Sequence, residues 1–114
     1  MERRVITSHR SSYPRPISFG IGEALTAVRR DDEFPGWIWV TTEDGNAGWT
    51  HESLLDLSDS GAAVAREDYT ARELDTAAGE RVRSLRELDR WAWVENDRRQ
   101  SGWVPLTTLA DANA

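Results

Sequence analysis

From residue 36 the chain reads Gly36-Trp37-Ile38-Trp39-Val40-Thr41-Thr42, aromatic and β-branched between turn signals. Such a run predicts a strand. Glu43-Asp44-Gly45 follows, and then Ala47-Gly48-Trp49-Thr50, a second strand. Together they predict a hairpin with a three-residue loop and Gly45 at its left-handed third position. This register sets Trp39 opposite Trp49, with Trp37 on the same face. Side chains alternate along a strand, so Ile38, Val40 and Thr50 point the other way. That small and β-branched set suits the core of a small barrel and leaves the indoles outside it.

The pattern occurs twice. Trp37, Trp39 and Trp49 recur as Trp91, Trp93 and Trp103, each 54 residues later, with Val40 and Gly48 in register with Val94 and Gly102. Ala92, Val94 and Val104 then join the core set. Upstream the offset is 57: Gly22-Glu23-Ala24-Leu25 matches Gly79-Glu80-Arg81-Val82. The first copy thus has three extra residues between Arg29 and Gly36, which marks a surface loop. A fixed period defines the structural unit. The copies run over residues 3–57 and 63–110, giving expected domains 1–57 and 63–111 with 58–62, around Ser58-Asp59-Ser60-Gly61, as a short polar linker. Ala71 to Leu88 is the best helical candidate, but Gly79 breaks its period, so it reads as loop and strand. Glu52-Ser53-Leu54 and Leu106-Thr107-Thr108 each fit one 3₁₀ turn.

Charge and composition narrow the function. The net charge is −6, and each half carries three more acids than bases. Neither half has the basic footprint of a nucleic-acid binder. All basic residues other than His are Arg, through genomic nucleotide bias or Arg-specific recognition. Without cysteine there is no disulfide and no thiolate metal site. No apolar run reaches membrane-span length, and no apolar segment follows the N-terminal arginines. A cytoplasmic protein without a membrane or nucleic-acid partner is expected.

The second copy reads Ala65-Arg66-Glu67-Asp68-Tyr69, then Glu73-Leu74, Gly79-Glu80, Trp91 in a strand, and Gly102-Trp103-Val104-Pro105. In that order these motifs resemble the Src-homology 3 (SH3) domain. The first copy is similar to a divergent SH3 domain, and the pair resembles the tandem variant SH3 proteins of bacteria. The resemblance implies an all-β protein of two five-stranded, partly open barrels, with grooves for Pro-rich peptides held as polyproline II helices. It places Tyr69, Trp91, Trp103 and Pro105 in the second groove, and Trp37 and Trp49 in the first. Glu67 and Thr108 stand where the family has tyrosines. In the first copy Thr7 and His9 replace the early tyrosines, His51 the proline and Leu54 the late tyrosine. The second copy is therefore expected to be the better binding surface.

No Ser-His-Asp arrangement, phosphate loop or H-E-x-x-H helix appears, and charge runs such as Arg29-Arg30-Asp31-Asp32-Glu33 read as solvated loops. The expected protein is a non-catalytic binding module without a cofactor, engaging a protein or peptide segment. Two other readings stand beside it: a small-molecule or glycan site in a Trp-lined inter-domain cleft, and a structural unit whose indoles bury one another. His9 and His51 fall on neighbouring groove positions by alignment. They are either drift or a pair that shares a ligand, water or metal and titrates jointly. Tyr13-Pro14-Arg15-Pro16 is either a rigid loop or a ligand-like segment.

Overall fold

The computed structural model describes residues 1–112, and β-strands dominate it. Among the described residues there are twelve: β1 (Glu2–Val5), β2 (Ser18–Phe19), β3 (Ala24–Arg30), β4 (Trp37–Thr42), β5 (Ala47–His51), β6 (Leu55–Leu57), β7 (Ala62–Ala65), β8 (Tyr69–Thr70), β9 (Arg81–Leu88), β10 (Trp91–Asn96), β11 (Ser101–Pro105) and β12 (Leu109–Asp111). Single 3₁₀ turns at Glu52–Leu54 and Leu106–Thr108 precede β6 and β12, as the sequence predicts. The three-residue length difference falls in the surface loop between β3 and β4, and 71–88 holds loop and strand. No described helix is long and apolar enough to cross a membrane.

Two five-stranded sheets share one plan. One has the order β5-β4-β3-β7-β6 and the other β11-β10-β9-β1-β12. The chain is all-β, with two SH3-like five-stranded units. The predicted hairpin register holds in both. Trp39 pairs with Trp49 and Trp93 with Trp103. Gly45 closes the first hairpin at φ 87°, and Arg99 occupies the same left-handed place in the second at φ 62°.

The compact units are not the two sequence copies. A central unit comprises Arg15–Ala71, and a terminal unit joins Met1–Pro14 to Arg72–Ala114. The first strands of the copies are exchanged. β7 pairs with β3 and β6, where chain order would put β1. β1 instead pairs with β9 and β12. Val5 opposite Leu109 repeats the position of Ala65 opposite Leu55. The domains expected at 1–57 and 63–111 are corrected accordingly.

Two local features favour the exchange. The first is that residues 58–62 form a turn and not a linker. Ser58 N–H donates to Ala62 O at 2.9 Å, Gly61 N–H to Ser58 O at 3.2 Å, and Gly61 lies at φ 91°. This is the loop chemistry of Glu43-Asp44-Gly45, and it folds β7 directly back on β6. The second is Arg3, which takes the position that Ala63 has in the central unit. Its guanidinium reaches Asp111 at 3.0 Å and Glu87 at 3.4 Å. The matching central positions are Leu57 and Arg30. In the chain-order arrangement Arg3 would therefore lose both carboxylates, with a leucine in the place of Asp111 and an arginine, itself bonded to Glu52, in the place of Glu87. The chain enters the central unit within Tyr13-Pro14-Arg15-Pro16, where two prolines fix φ, and leaves it between Ala71 and Arg72.

Each unit has its own core. Ile17, Phe19, Leu25, Ile38, Val40, Leu55, Ala63 and Ala65 fill the central one. Val5, Leu74, Val82, Ala92, Val94, Val104 and Leu109 fill the terminal one. The expected core residues Ile38, Val40, Ala92, Val94 and Val104 are all buried. Trp37, Trp49 and Trp91 are half-buried and lie outside both clusters.

Candidate functional site

In each unit the outer face of the central hairpin is aromatic. On the central unit Trp37 and Trp39 alternate with the core residues Ile38 and Val40 along β4, so strand geometry sends both indoles outward. Trp49 stands opposite Trp39, edge-to-face with ring centroids 5.2 Å apart. His51 pairs with Trp37 in the same manner at 5.3 Å. The His51 Nδ1 also accepts the Ser53 backbone N–H at 3.2 Å, capping the 3₁₀ turn. A Cβ on Gly36 would lie 2.8 Å from the His51 Nε2, so the ring packs against bare backbone.

Tyr69 belongs to the central unit, where it packs against the edge of the core and reaches the backbone of Trp49. β8 pairs with β2, the Tyr69 ring lies 5.4 Å from that of Phe19, and its hydroxyl donates to Trp49 O at 3.5 Å. The expected groove of Tyr69, Trp91, Trp103 and Pro105 is thereby corrected. The residues following an exchanged strand travel with it. The central unit gains Tyr69, and the terminal unit receives His9 in its place.

On the terminal unit Trp91 stands opposite Pro105, and Trp93 opposite Trp103. The His9 Nε2 lies 2.7 Å from Glu73 Oε1, and its ring meets Trp91 edge-on at 6.0 Å. Backbone bonds with Thr76 at 3.0 and 2.9 Å hold His9 in place. The Glu73 side chain is only 9% exposed, so this pair is part of the wall of the face. His9 and His51 thus belong to different units and have separate partners. Among the described residues no group of three or more metal-ligating side chains gathers.

Trp103 differs from its counterpart Trp49. It is 6% exposed, lies outside the packed core cluster, and meets the Trp93 ring edge-to-face at 5.3 Å. Residues 72–74 run beside it. Trp103 N–H donates to Arg72 O at 2.9 Å, and Leu74 N–H donates to Trp103 O at 3.1 Å. Pro105 has no N–H to offer at the same edge, and Arg72 Nε donates to Ser101 O at 3.1 Å.

Two arginines on these faces are absent from the sequence-predicted set. The Arg29 guanidinium lies 5.0 Å from the Trp49 ring centroid and 5.9 Å from that of Trp39. Arg72 lies 5.4 Å over Trp93. The exclusive use of Arg was the one available signal, but it did not say which arginines. Beside the central face, Phe34 and Glu33 N–H groups hold the Asp31 carboxyl below the usual carboxylate range. In the β4–β5 turn the Thr42 hydroxyl, followed by the Asn46 N–H, does the same for Asp44.

Neither the curated proteins nor the solved structures compared with this chain give a match. A family model does: residues 3–57 match the variant SH3 domain, a family that supports a protein-interaction module. The match follows the order of the chain. It takes in β1, which the structure gives to the terminal unit, and stops before β7, which completes the central one.

Proposed function

We propose that the chain is a non-catalytic protein-binding module that holds an extended peptide segment against its aromatic faces. The observation that carries this reading is the set of half-buried indoles Trp37, Trp39, Trp49, Trp91 and Trp93, which both cores leave outside. Large stiff rings with one polar edge give contact area at little entropic cost. The central face, with Trp37, Trp39 and Trp49 and with His51 beside Trp37, is the fuller of the two. Trp103 and Glu73 complete the terminal face.

The test is a titration of the full chain with a library of extended Pro- and Val-rich heptapeptides, read through the Trp indole N–H resonances. Trp37 and Trp49 should shift, and Trp37→Ala should weaken binding at least about 30-fold, the roughly 2 kcal/mol of an aromatic anchor. If no peptide moves any indole resonance, the reading fails.

A further inference from the structure

We infer that the central face selects a segment carrying one carboxylate, an Asp or Glu set among uncharged residues, and that Arg29 is the group that reads it. This rests on the peptide-binding reading above and names the chemistry of its partner.

Arg29 follows the bulge of β3 opposite Trp39. Its guanidinium is close to two indoles, 5.0 and 5.9 Å from their centroids. Contact with an aromatic face restrains a guanidinium while leaving its planar N–H edge available to a carboxylate, a fit that Lys does not match. Among the described residues no hydrogen bond or ion pair engages the Arg29 guanidinium. Its nearest acid, Asp31, accepts the backbone N–H groups of Glu33 at 2.7 Å and Phe34 at 3.0 Å. Arg29 is the smallest of the influences acting on that carboxyl. The adjacent Arg30 is already bonded to Glu52 at 3.3 Å.

Arg72 provides an internal contrast. It also lies over an indole, but its Nε and Nη2 donate to Ser101 O and Oγ at 3.1 and 3.2 Å. Arg72 is bound within its own unit, so stacking on an indole alone does not leave a guanidinium open; the position that repeats Arg29 is Arg86, opposite Trp93.

The surrounding charge limits what that partner is. Asp31, Asp32, Glu33 and Glu52 lie near Arg29 in sequence or space, and the chain carries a net −6. A polyanion such as a nucleic acid, or a phosphate dianion, would meet more repulsion than one guanidinium offsets. A single carboxylate flanked by apolar residues matches one charge and lets its neighbours lie on Trp37 and Trp49.

The experiment uses the full chain and heptapeptides of alternating Pro and Val whose central residue is varied, with affinity measured by fluorescence anisotropy. Asp or Glu at the centre should bind at least about 10-fold tighter than Asn or Gln, the scale of one charge-assisted hydrogen-bond pair. Arg29→Gln should abolish that ratio, and Arg29→Glu should reverse it in favour of a central Arg. Arg72→Gln should leave it intact. Unchanged Ile38 and Val40 methyl resonances verify that the Arg29 variants remain folded. Equal binding of acidic and amide peptides, or a ratio that survives Arg29→Glu, overturns this inference and leaves the peptide-binding reading standing. Failure of every peptide to bind overturns both.

Discussion

The central and terminal units offer the same slot to an incoming strand, and the slots differ in what they accept. In the central slot β7 presents Ala63 and Ala65 to the core, and Ala63 stands opposite Leu57 on one side and Leu25 on the other. In the terminal slot β1 presents Val5 to the core and Arg3 to Asp111 and Glu87. The repeat provides two equivalent frames, and a few side chains decide which strand enters which. The same rule reaches beyond the sheets, because Tyr69 and His9 arrive in their units behind the exchanged strands.

The strongest way to break this comparison is to place a charge in one slot. Val5 is 1% exposed in the terminal core, so Val5→Asp should cost at least about 3 kcal/mol, the scale of an uncompensated buried charge. In the exchanged arrangement the resonances of Trp91, Trp93 and Trp103 lose dispersion, and those of Trp37, Trp39 and Trp49 keep theirs. Ala65→Asp should give the opposite assignment. If Val5→Asp instead collapses the first three indoles, the strands are not exchanged.

A smaller effect distinguishes the flanks of β5 and β11. A Cβ on Gly102 would lie 2.7 Å from Leu74 N and 2.8 Å from Glu73 C, atoms of a backbone already bonded to Trp103. A Cβ on Gly48 would meet the side chain of Ile17 at 2.9 Å. Side chains yield more readily than backbone, so Gly102→Ala should cost about 3 kcal/mol and Gly48→Ala about 1 kcal/mol by urea denaturation. Equal costs would mean that residues 72–74 are no stiffer than Ile17.

The smallest effect lies in the hairpin loops. Arg99 has the left-handed backbone that Gly45 adopts without strain. Arg99→Gly should stabilise by about 0.5 kcal/mol, since relief of the left-handed conformation exceeds the added freedom of the unfolded chain. Gly45→Ala should destabilise by about 1 kcal/mol for the converse reason. A common sign for the two would show that the loops are not equivalent.

The strands, the hairpin register and the core set were legible in the sequence, because alternation and turn chemistry are local. The exchange was not legible from the period. Asp59-Ser60-Gly61 carries the signal that made Glu43-Asp44-Gly45 a hairpin, but its place between two copies gave it the look of a linker. A repeat identifies equivalent strands and is silent on which copy supplies them. The indoles of the candidate site were legible as outward-facing residues. Tyr69 was assigned to the wrong partners because its placement depends on the exchange. Arg29 was missed because its contact with Trp49 joins strands that are not neighbours, and its sequence context is that of a solvated charge run.

The exchange also sets an order of events while the chain is made. β1 leaves the ribosome first, but both its partners are far downstream, and β12 follows by roughly 5–20 s at ordinary elongation rates. The central unit can close within that interval, since Arg15–Ala71 is contiguous. During the wait the nascent central slot is open to β1, but β7 follows β6 across the short turn at 58–62 and is the nearer strand to fill it. A five-residue turn thereby bears on timing as well as on shape: the shorter the loop that returns a strand, the smaller the entropy its closure costs and the briefer the interval in which another strand can enter.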